Sequence, residues 1–324
     1  MTHAIRIETT GGPEVLEWQE VDVPDPGAGE VRIRTAAAGL NYIDTYHRSG
    51  AYALPLPSGM GLEASGVVEA VGADVADLAE GDRVCYGVGP LGAYAEARVM
   101  PAAKLVKTPD AIDDRTAAAM MLKGMTAQYL IRRTFRVEAG MPVLFHAAAG
   151  GVGLIACQWL KALGATVIGT VGSAEKAELA RAHGCEHTIL YREEDWVARV
   201  RELTGGAGVP VVYDGVGQAT WDGSLDCLAT RGMMVSFGAA SGPVESFAPG
   251  VLAAKGSLFL TRPSLMDYAA IREEMVETAQ DLFDVVASGA VRIDVNQTYA
   301  LADAAQAHRD LEARKTTGST VLLP

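Results

Sequence analysis

The stretch Val143-Leu-Phe-His-Ala-Ala-Ala-Gly-Gly-Val-Gly-Leu-Ile-Ala-Cys-Gln158 decides the fold. An apolar run enters the small-residue turn Ala148-Ala149-Gly150-Gly151-Val152-Gly153 and leaves it as an amphipathic helix. The spacing is that of G-x-G-x-x-G, with Ala148 in the first glycine's place. Gly150 lets the backbone come close to a pyrophosphate, and Gly153 lets the helix pack against the strand. The helix N-terminus then offers unpaired N–H groups to the anion. A buried strand before the turn and a further strand after the helix supply the context that a dinucleotide-binding turn requires.

Outward from the turn, strand and helix patterns alternate. Strands are expected at residues 142–147, 166–170, 188–191, 211–214, 233–238 and 258–261, with helices at 151–163 and 174–183. Repeated βα units predict a parallel, doubly wound sheet, hence an α/β fold. Residues 116–133 are rich in Ala, Met and Leu and read as the helix that leads into this region. Before it, residues 1–100 read as short strands punctuated by Gly and Pro, including Val31-Arg-Ile-Arg-Thr35 and Gly66-Val-Val-Glu-Ala-Val-Gly72. They predict a compact, barrel-like β domain. After the last βα unit come a long helix over 268–287, a strand at 291–295, a short helix over 302–313 and a strand at 319–323. These are expected to return to the first domain.

The bulk composition agrees. A chain of 324 residues exceeds one typical core and suggests two domains. With 49% hydrophobic and 21% charged residues, it has the balance of a soluble globular enzyme. No apolar run approaches the roughly 18 residues of a membrane span. Residues 1–8 carry no apolar core like that of a signal peptide, so the expected compartment is the cytoplasm. The formal net charge of -13 repels phosphate backbones and argues against a nucleic-acid partner. Cys85, Cys157, Cys185 and Cys227 are too widely spaced for a C-x-x-C zinc site. A disulfide framework is not expected in a cytoplasmic enzyme.

The second strand distinguishes NAD from NADP. About 20 residues past the glycine turn, an NAD site carries an acid for the ribose 2′-hydroxyl. Here Gly169-Thr-Val-Gly-Ser173 has none. Ser173 is a small hydroxyl, Lys176 follows it, and Tyr191-Arg192 ends the next strand. Lys176 with Ser173 and Tyr191 suits a 2′-phosphate, held by charge-assisted hydrogen bonds. Glu175 is the one discordant charge. The plainer reading is that Ser173 caps a helix and Lys176 is solvated. The missing acid favours NADPH.

At this point Gly140-Met-Pro-Val-Leu-Phe-His-Ala-Ala-Ala-Gly-Gly-Val-Gly-Leu-Ile-Ala-Cys-Gln-Trp-Leu-Lys161 resembles the signature of the zinc-independent quinone oxidoreductase, or zeta-crystallin-like, branch of the medium-chain dehydrogenase/reductase family. Gly39-Leu-Asn-Tyr-Ile-Asp-Thr-Tyr-His-Arg-Ser-Gly50 resembles that branch's active-site loop, and Gly59-Met-Gly-Leu-Glu-Ala-Ser-Gly-Val-Val-Glu-Ala-Val-Gly72 its barrel core. Leu311-Glu-Ala-Arg-Lys-Thr-Thr-Gly-Ser-Thr-Val-Leu-Leu-Pro324 fits as well, so the resemblance runs over essentially the whole chain.

The resemblance implies a GroES-like β-barrel domain over residues 1–123, a Rossmann NADPH-binding domain over 124–265, a return to the first domain over 266–324, and a homodimer. It places Asn41, Tyr42, Ile43, Asp44, Thr45 and Tyr46 on the nicotinamide side, with Tyr129 near the cofactor. Gly151 and Val152 would meet the pyrophosphate beside Gly150. Gly172, Ser173, Lys176 and Tyr191 would surround the adenosine phosphate. Val216, Gly238, Ala239, Ala240, Ser241, Pro263, Ser264, Leu265 and Arg314 would complete the pocket. Arg314 also reads simply as a cation at a helix end.

The zinc-dependent relatives place Cys where this chain has Asn41, and His where it has Leu62 in Gly61-Leu-Glu63. Leucine cannot ligate zinc and an amide is a poor ligand, so no metal is expected. His183-Gly-Cys-Glu-His187 groups three potential ligands but reads as a helix-to-strand connection ended by Gly184. His146 reads as packing or backbone hydrogen bonding, and His47 stays as a weak functional candidate. Glu63 and Asp44 are lone acids without a sequence-evident partner. Asp44 is expected to pair locally with Arg48, if with anything.

Without a metal the cofactor does the chemistry and the protein positions it. Hydride leaves nicotinamide C4 for a quinone or an α,β-unsaturated carbonyl, held about 3–3.5 Å away. Asn41, Tyr46 and Tyr52 are the candidates to hydrogen-bond the acceptor oxygen as charge develops. The expected activity is NADPH-dependent quinone reduction. An enone or enoyl reductase on the same scaffold, and an NADPH-binding protein with little turnover, remain open.

Overall fold

The structure is a computed structural model that describes residues 2–324. The chain divides into two compact units. One runs through Met125 and resumes over Ala269–Ala287 and Ile293–Pro324; the other holds Thr126–Tyr268 and Ser288–Arg292.

The second unit is built on six parallel strands. Across the sheet they run His187–Leu190, Thr166–Val171, Pro142–His146, Val209–Asp214, Leu228–Ser236 and Phe259–Thr261. The chain order reverses between Pro142–His146 and Val209–Asp214, and ligands of doubly wound sheets sit beyond the strand ends at such a switch. The central strands are apolar because helices cover both faces. Leu144, Ile168, Val212 and Met234 form the buried floor on which Trp221 and Leu225 pack.

The first unit is antiparallel for the most part. The long strand Glu30–Leu40 pairs with Glu63–Val71, Ala97–Pro101 and Ser319–Leu323. Val31, Ile33 and Thr35 alternate inward along it, as a strand with one covered face requires. A smaller sheet of Glu17–Val21, Thr2–Ile7 and Ser58–Gly59 encloses the same core, which holds Ile5, Ile7, Met60, Tyr94 and Met100.

Three elements depart from the sequence expectation. The helix expected over 116–133 is α-helical over Asp114–Gln128 and continues as a wider π turn, Tyr129–Thr134. The helix expected over 268–287 is broken into Leu265–Tyr268 and Arg272–Ala287. Arg133 Nη1 donates to the Tyr268 carbonyl at 2.9 Å, which takes the acceptor that a continuing helix needs. The strand expected at 291–295 begins only at Val295. The Gln158 side chain occupies Arg292 on both sides, accepting from its N–H at 2.9 Å and donating to its carbonyl at 3.0 Å. Those groups are not left for a strand partner.

Candidate functional site

The glycine turn follows directly from the first parallel strand. Ala147 takes φ 54°, and the Gly150 N–H donates back to its carbonyl at 2.8 Å. The helix Gly151–Ala162 starts there. A Cβ on Gly153 would stand 2.5 Å from the Ala147 oxygen and 2.7 Å from that of Ala148, so only glycine permits this helix–strand contact. The first N–H groups of that helix have no intrahelical acceptor and aim past the strand end.

At the end of the second strand, Ser173 caps the helix Ala174–Ala182, its Oγ accepting from the Lys176 N–H at 3.4 Å. A Cβ on Gly172 would stand 3.2 Å from the Tyr191 hydroxyl, so Gly172, Ser173, Lys176 and Tyr191 do come together. The Arg192 guanidinium lies 5.7 Å over the Tyr191 ring and adds a second cation. Glu175 faces its own helix N-terminus. Hydrogen bonds from its backbone N–H and from Ser173 hold its carboxyl below the usual range.

Beyond the fourth strand, Asp214 accepts the N–H groups of Val216 and Gly217 at 2.7 and 3.0 Å. The Ser241 N–H donates to the Val216 carbonyl at 2.7 Å. Gly238 and Gly215 pass so closely that a Cβ on Gly238 would meet the Gly215 oxygen at 2.5 Å. Val216 and the segment Gly238-Ala239-Ala240-Ser241 are therefore one folded unit. Ser264 Oγ accepts the Met266 N–H at 3.2 Å just after Pro263, where the helix starting at Leu265 begins. Tyr129 stacks on Tyr268 at 4.5 Å, and burial pushes its phenol well above the usual range. From sequence, His146 is expected to serve packing or backbone hydrogen bonding; its ring does pack edge-on to Trp196, but its nitrogens meet side chains, the Thr170 and Ser224 hydroxyls.

In the first unit, Asn41 caps the helix Tyr42–Ser49 and forms a capping box with Asp44. The Asn41 N–H and the Tyr94 hydroxyl both donate to Asp44 Oδ2, at 2.9 and 2.7 Å. Burial nevertheless pushes the Asp44 carboxyl up to about 7. The expected Asp44–Arg48 pair does not form, because the Asp44 carboxylate curls back to the helix start. Arg48 instead donates to Glu312 at 2.7 and 3.0 Å, to the Gly11 carbonyl at 3.1 Å and to His308 Nδ1 at 3.0 Å.

Glu63 is not a lone acid either. Its Oε2 accepts from Asn41 Nδ2 at 2.7 Å and from Lys123 Nζ at 3.0 Å, and its Oε1 accepts the Leu122 N–H at 2.8 Å. Sequence reasoning missed Lys123. The signal was present, since a single lysine inside Met120-Met-Leu-Lys-Gly-Met125 must pair with something when that run is buried.

Tyr46 sits between Tyr42 and Tyr52, at ring distances of 5.5 and 5.1 Å, and His47 lies 5.8 Å from Tyr52. Burial holds His47 below the usual imidazole range. Thr45 Oγ1 donates to the Tyr42 carbonyl at 2.7 Å, and Ile43 is half-buried beside them. Burial also raises the Tyr42 phenol, with Glu312 adding to the effect and Arg314 opposing it. Arg314 itself follows the helix Ala304–Glu312 at φ 60°.

These residues do not fit a zinc ion. Leu62 is apolar and buried, Asn41 is bound to Glu63 and Asp44, and the Lys123 ammonium already neutralises Glu63. Among the described residues, no group of three or more His, Cys, Asp or Glu is placed to hold a metal. In the 183–187 segment, His183 Nδ1 meets the Leu179 carbonyl at 2.8 Å and Gly184 turns the chain at φ 103°.

Comparison with known proteins finds matches along the whole chain. Residues 27–110 match the alcohol dehydrogenase GroES-like domain, and residues 151–286 match the family described as zinc-binding dehydrogenase. A quinone oxidoreductase of Pseudomonas aeruginosa is 56% identical, with 100% of both chains covered. A 2-haloacrylate reductase of Burkholderia is 49% identical over 100% of this chain and 99% of the relative. The crystal structure of Escherichia coli quinone oxidoreductase complexed with NADPH superposes with a TM-score of 0.98, at 51% identity and 100% coverage of both chains.

Proposed function

The chain belongs to the medium-chain dehydrogenase/reductase family, and from that premise we propose that it is an NADPH-dependent quinone reductase that works without a metal. The observation that carries the proposal is the second strand end. It has no acid for an NAD ribose, and it gathers Ser173, Lys176 and the Tyr191 hydroxyl around Gly172, with Arg192 behind. The relatives named quinone oxidoreductase, one of them solved with NADPH, supply the acceptor class.

The fit of this chain to NADPH rests on its own residues. Gly153 brings the helix N-terminus against the strand, Gly150 to Val152 form the pyrophosphate turn, and Lys176 and Ser173 meet the 2′-phosphate. Asp214 fixes the Val216 loop, to which Ser241 is tied. Tyr129, Pro263 to Leu265 and Arg314 complete the proposed binding set. When bound, NADPH supplies hydride from nicotinamide C4. For the acceptor oxygen, Asn41, Tyr46 and Tyr52 are the proposed donors, the Asn41 amide being shared with Glu63. Asn41 also holds the loop in shape. In this proposal residues 124–265 supply most of the NADPH-binding set, while residues 1–123 and 266–324 serve the acceptor and add Arg314 to that set.

A homodimer belongs to the same reading. The edge strand Phe259–Thr261 has one open side, and Phe259 is 58% exposed on it. Light scattering of the purified chain tests this, and a monomer would remove it. No described helix is long and apolar enough to cross a membrane. The cytoplasm is the proposed compartment, to be tested by fractionation.

The test is steady-state turnover with NADPH and NADH against 1,4-benzoquinone, 9,10-phenanthrenequinone, a panel of enones and 2-chloroacrylate. Quinone turnover with NADPH well above that with the other acceptors is expected. Preference for an enone or the haloacrylate would replace the acceptor class, and NADPH binding without turnover would replace the activity. Lys176→Ala should weaken NADPH about 10- to 100-fold, the scale of lost charge-assisted hydrogen bonds, and leave NADH nearly unchanged. Equal losses would take the phosphate away from Lys176.

A further inference from the structure

We propose that His146 is a positioning residue for NADPH. Through one directed chain of buried hydrogen bonds it holds the glycine turn, the Ser173 segment and the Val216–Gly217 loop in a common register. The inference rests on the NADPH reading and names a residue that contacts none of the cofactor itself.

His146 is the last residue of its strand, immediately before the Ala147 turn. Its Nδ1 lies 2.8 Å from Thr170 Oγ1, on the neighbouring strand that ends in Val171 before Gly172. Its Nε2 lies 3.0 Å from Ser224 Oγ. Ser224 Oγ in turn donates to Asp214 Oδ2 at 2.7 Å, and the other Asp214 oxygen carries the Val216 and Gly217 N–H groups. Every side chain in the series is buried, and the His146 ring is held edge-on to Trp196 at 5.0 Å.

The direction of the chain follows from the donor inventory. The Asp214 carboxylate accepts, so the Ser224 hydroxyl hydrogen points at it. Ser224 Oγ must then accept from His146, so Nε2 carries the imidazole hydrogen. The other nitrogen of a neutral imidazole accepts, so the Thr170 hydroxyl hydrogen points at Nδ1. Burial keeps the ring neutral by pushing its pKa down. One tautomer alone closes the series from Thr170 to the Val216 loop.

The series joins the carboxyl ends of three adjacent parallel strands, at the switch point of the sheet. Each of these ends carries one portion of the proposed NADPH site. A ligand that spans all three needs them in register, whereas a ligand that touches one does not. That difference separates positioning from mere core filling.

The experiment uses the full-length protein and two probes, NADPH and 2′,5′-ADP, the adenosine half that reaches only the Ser173–Lys176 segment. His146→Phe keeps the ring and deletes both hydrogen bonds. It should raise the Kd of NADPH about tenfold, the scale of roughly 1.4 kcal/mol, while 2′,5′-ADP binds within twofold of wild type. His146→Gln, which retains a donor and an acceptor, should recover part of the loss. Thr170→Val preserves the strand shape and runs the same test should His146→Phe fail to fold. Parallel losses for both probes would mean general loosening and overturn the proposal, as would unchanged affinity for both. A wild-type protein that binds neither probe defeats the NADPH reading itself. Wild-type NADPH binding with unaffected variants defeats only the role of His146.

Discussion

The two units bury acids beside their candidate loops, and they accommodate them in opposite ways. In the second unit, Asp214 receives four neutral donors, two on each oxygen: the Val216 and Gly217 N–H groups and the Thr220 and Ser224 hydroxyls. In the first unit, both donors to Asp44 fall on Oδ2, and Oδ1 has no partner. Its neighbour Glu63 is matched with a buried cation, Lys123. A carboxylate surrounded by donors behaves as a fixed strut, an incompletely surrounded one becomes a site where a proton goes on and off, and a paired one depends on its counter-ion. The parallel sheet can use the first solution because backbone N–H groups of a tight loop converge at its strand ends. In the antiparallel unit one backbone N–H reaches each acid, that of Asn41 on Asp44 and that of Leu122 on Glu63, and side chains supply the rest.

Removing the counter-ion has the largest expected effect. Lys123→Met leaves Glu63 charged and enclosed, which costs about 3–5 kcal/mol of stability. Adding Glu63→Gln should return most of that loss. Denaturant unfolding of the two single variants and the double variant completes the cycle. A Lys123→Met loss under about 1 kcal/mol, the scale of an exposed pair, would show that Glu63 does not depend on its cation.

The proton on Asp44 comes next. Its folded pKa, raised to about 7 from 3.8, means that the folded state binds the proton more tightly than the unfolded chain does. The stabilisation is fully present below about pH 4 and is lost as the pH rises toward 7. The total is on the order of 4 kcal/mol. His308 works in the other direction, since burial holds it at about 3 and its contribution is lost as the pH falls. The readout is therefore the difference between wild type and Asp44→Asn, measured by thermal unfolding from pH 4 to pH 8. The variant should gain on wild type between pH 4 and about pH 7 and level off above that. A constant difference would show that Asp44 keeps one charge state over this range.

The sequence revealed whatever depends on local pattern. The glycine turn, the missing acid after the second strand and most of the parallel strands were legible because period and turn chemistry are properties of neighbouring residues. Partners across the fold were not. Glu63 and Lys123 lie 60 positions apart, Asp44 and Tyr94 lie 50, and His146 and Ser224 lie 78. Glu63 and Asp44 therefore read as lone acids and His146 as a packing residue, while Lys123, Tyr94 and Ser224 drew no reading at all. Local pattern also misled where a side chain intervened: Arg133 interrupts the helix after Tyr268, and Gln158 takes the strand bonds of Arg292. For the site this meant that candidate loop residues could be named from local pattern, whereas the buried groups that hold those loops could not.

The smallest effect compares single hydroxyls on the two acids. Ser224→Ala removes one of four donors from Asp214 and leaves the His146 N–H without its acceptor. The expected cost is about 1–3 kcal/mol. It should be the same at pH 7 and pH 8, because burial keeps the His146 ring neutral there. Tyr94→Phe removes one of two donors from Asp44. At pH 5 the carboxyl is protonated and the bond is neutral, worth about 1 kcal/mol. At pH 8 it becomes charge-assisted and roughly doubles. The Tyr94→Phe loss should therefore grow between pH 5 and pH 8, while the Ser224→Ala loss stays level above pH 7. If the Tyr94→Phe loss is equal at both ends, Asp44 does not change its charge in this range. The contrast between the two units then reduces to a count of hydrogen bonds.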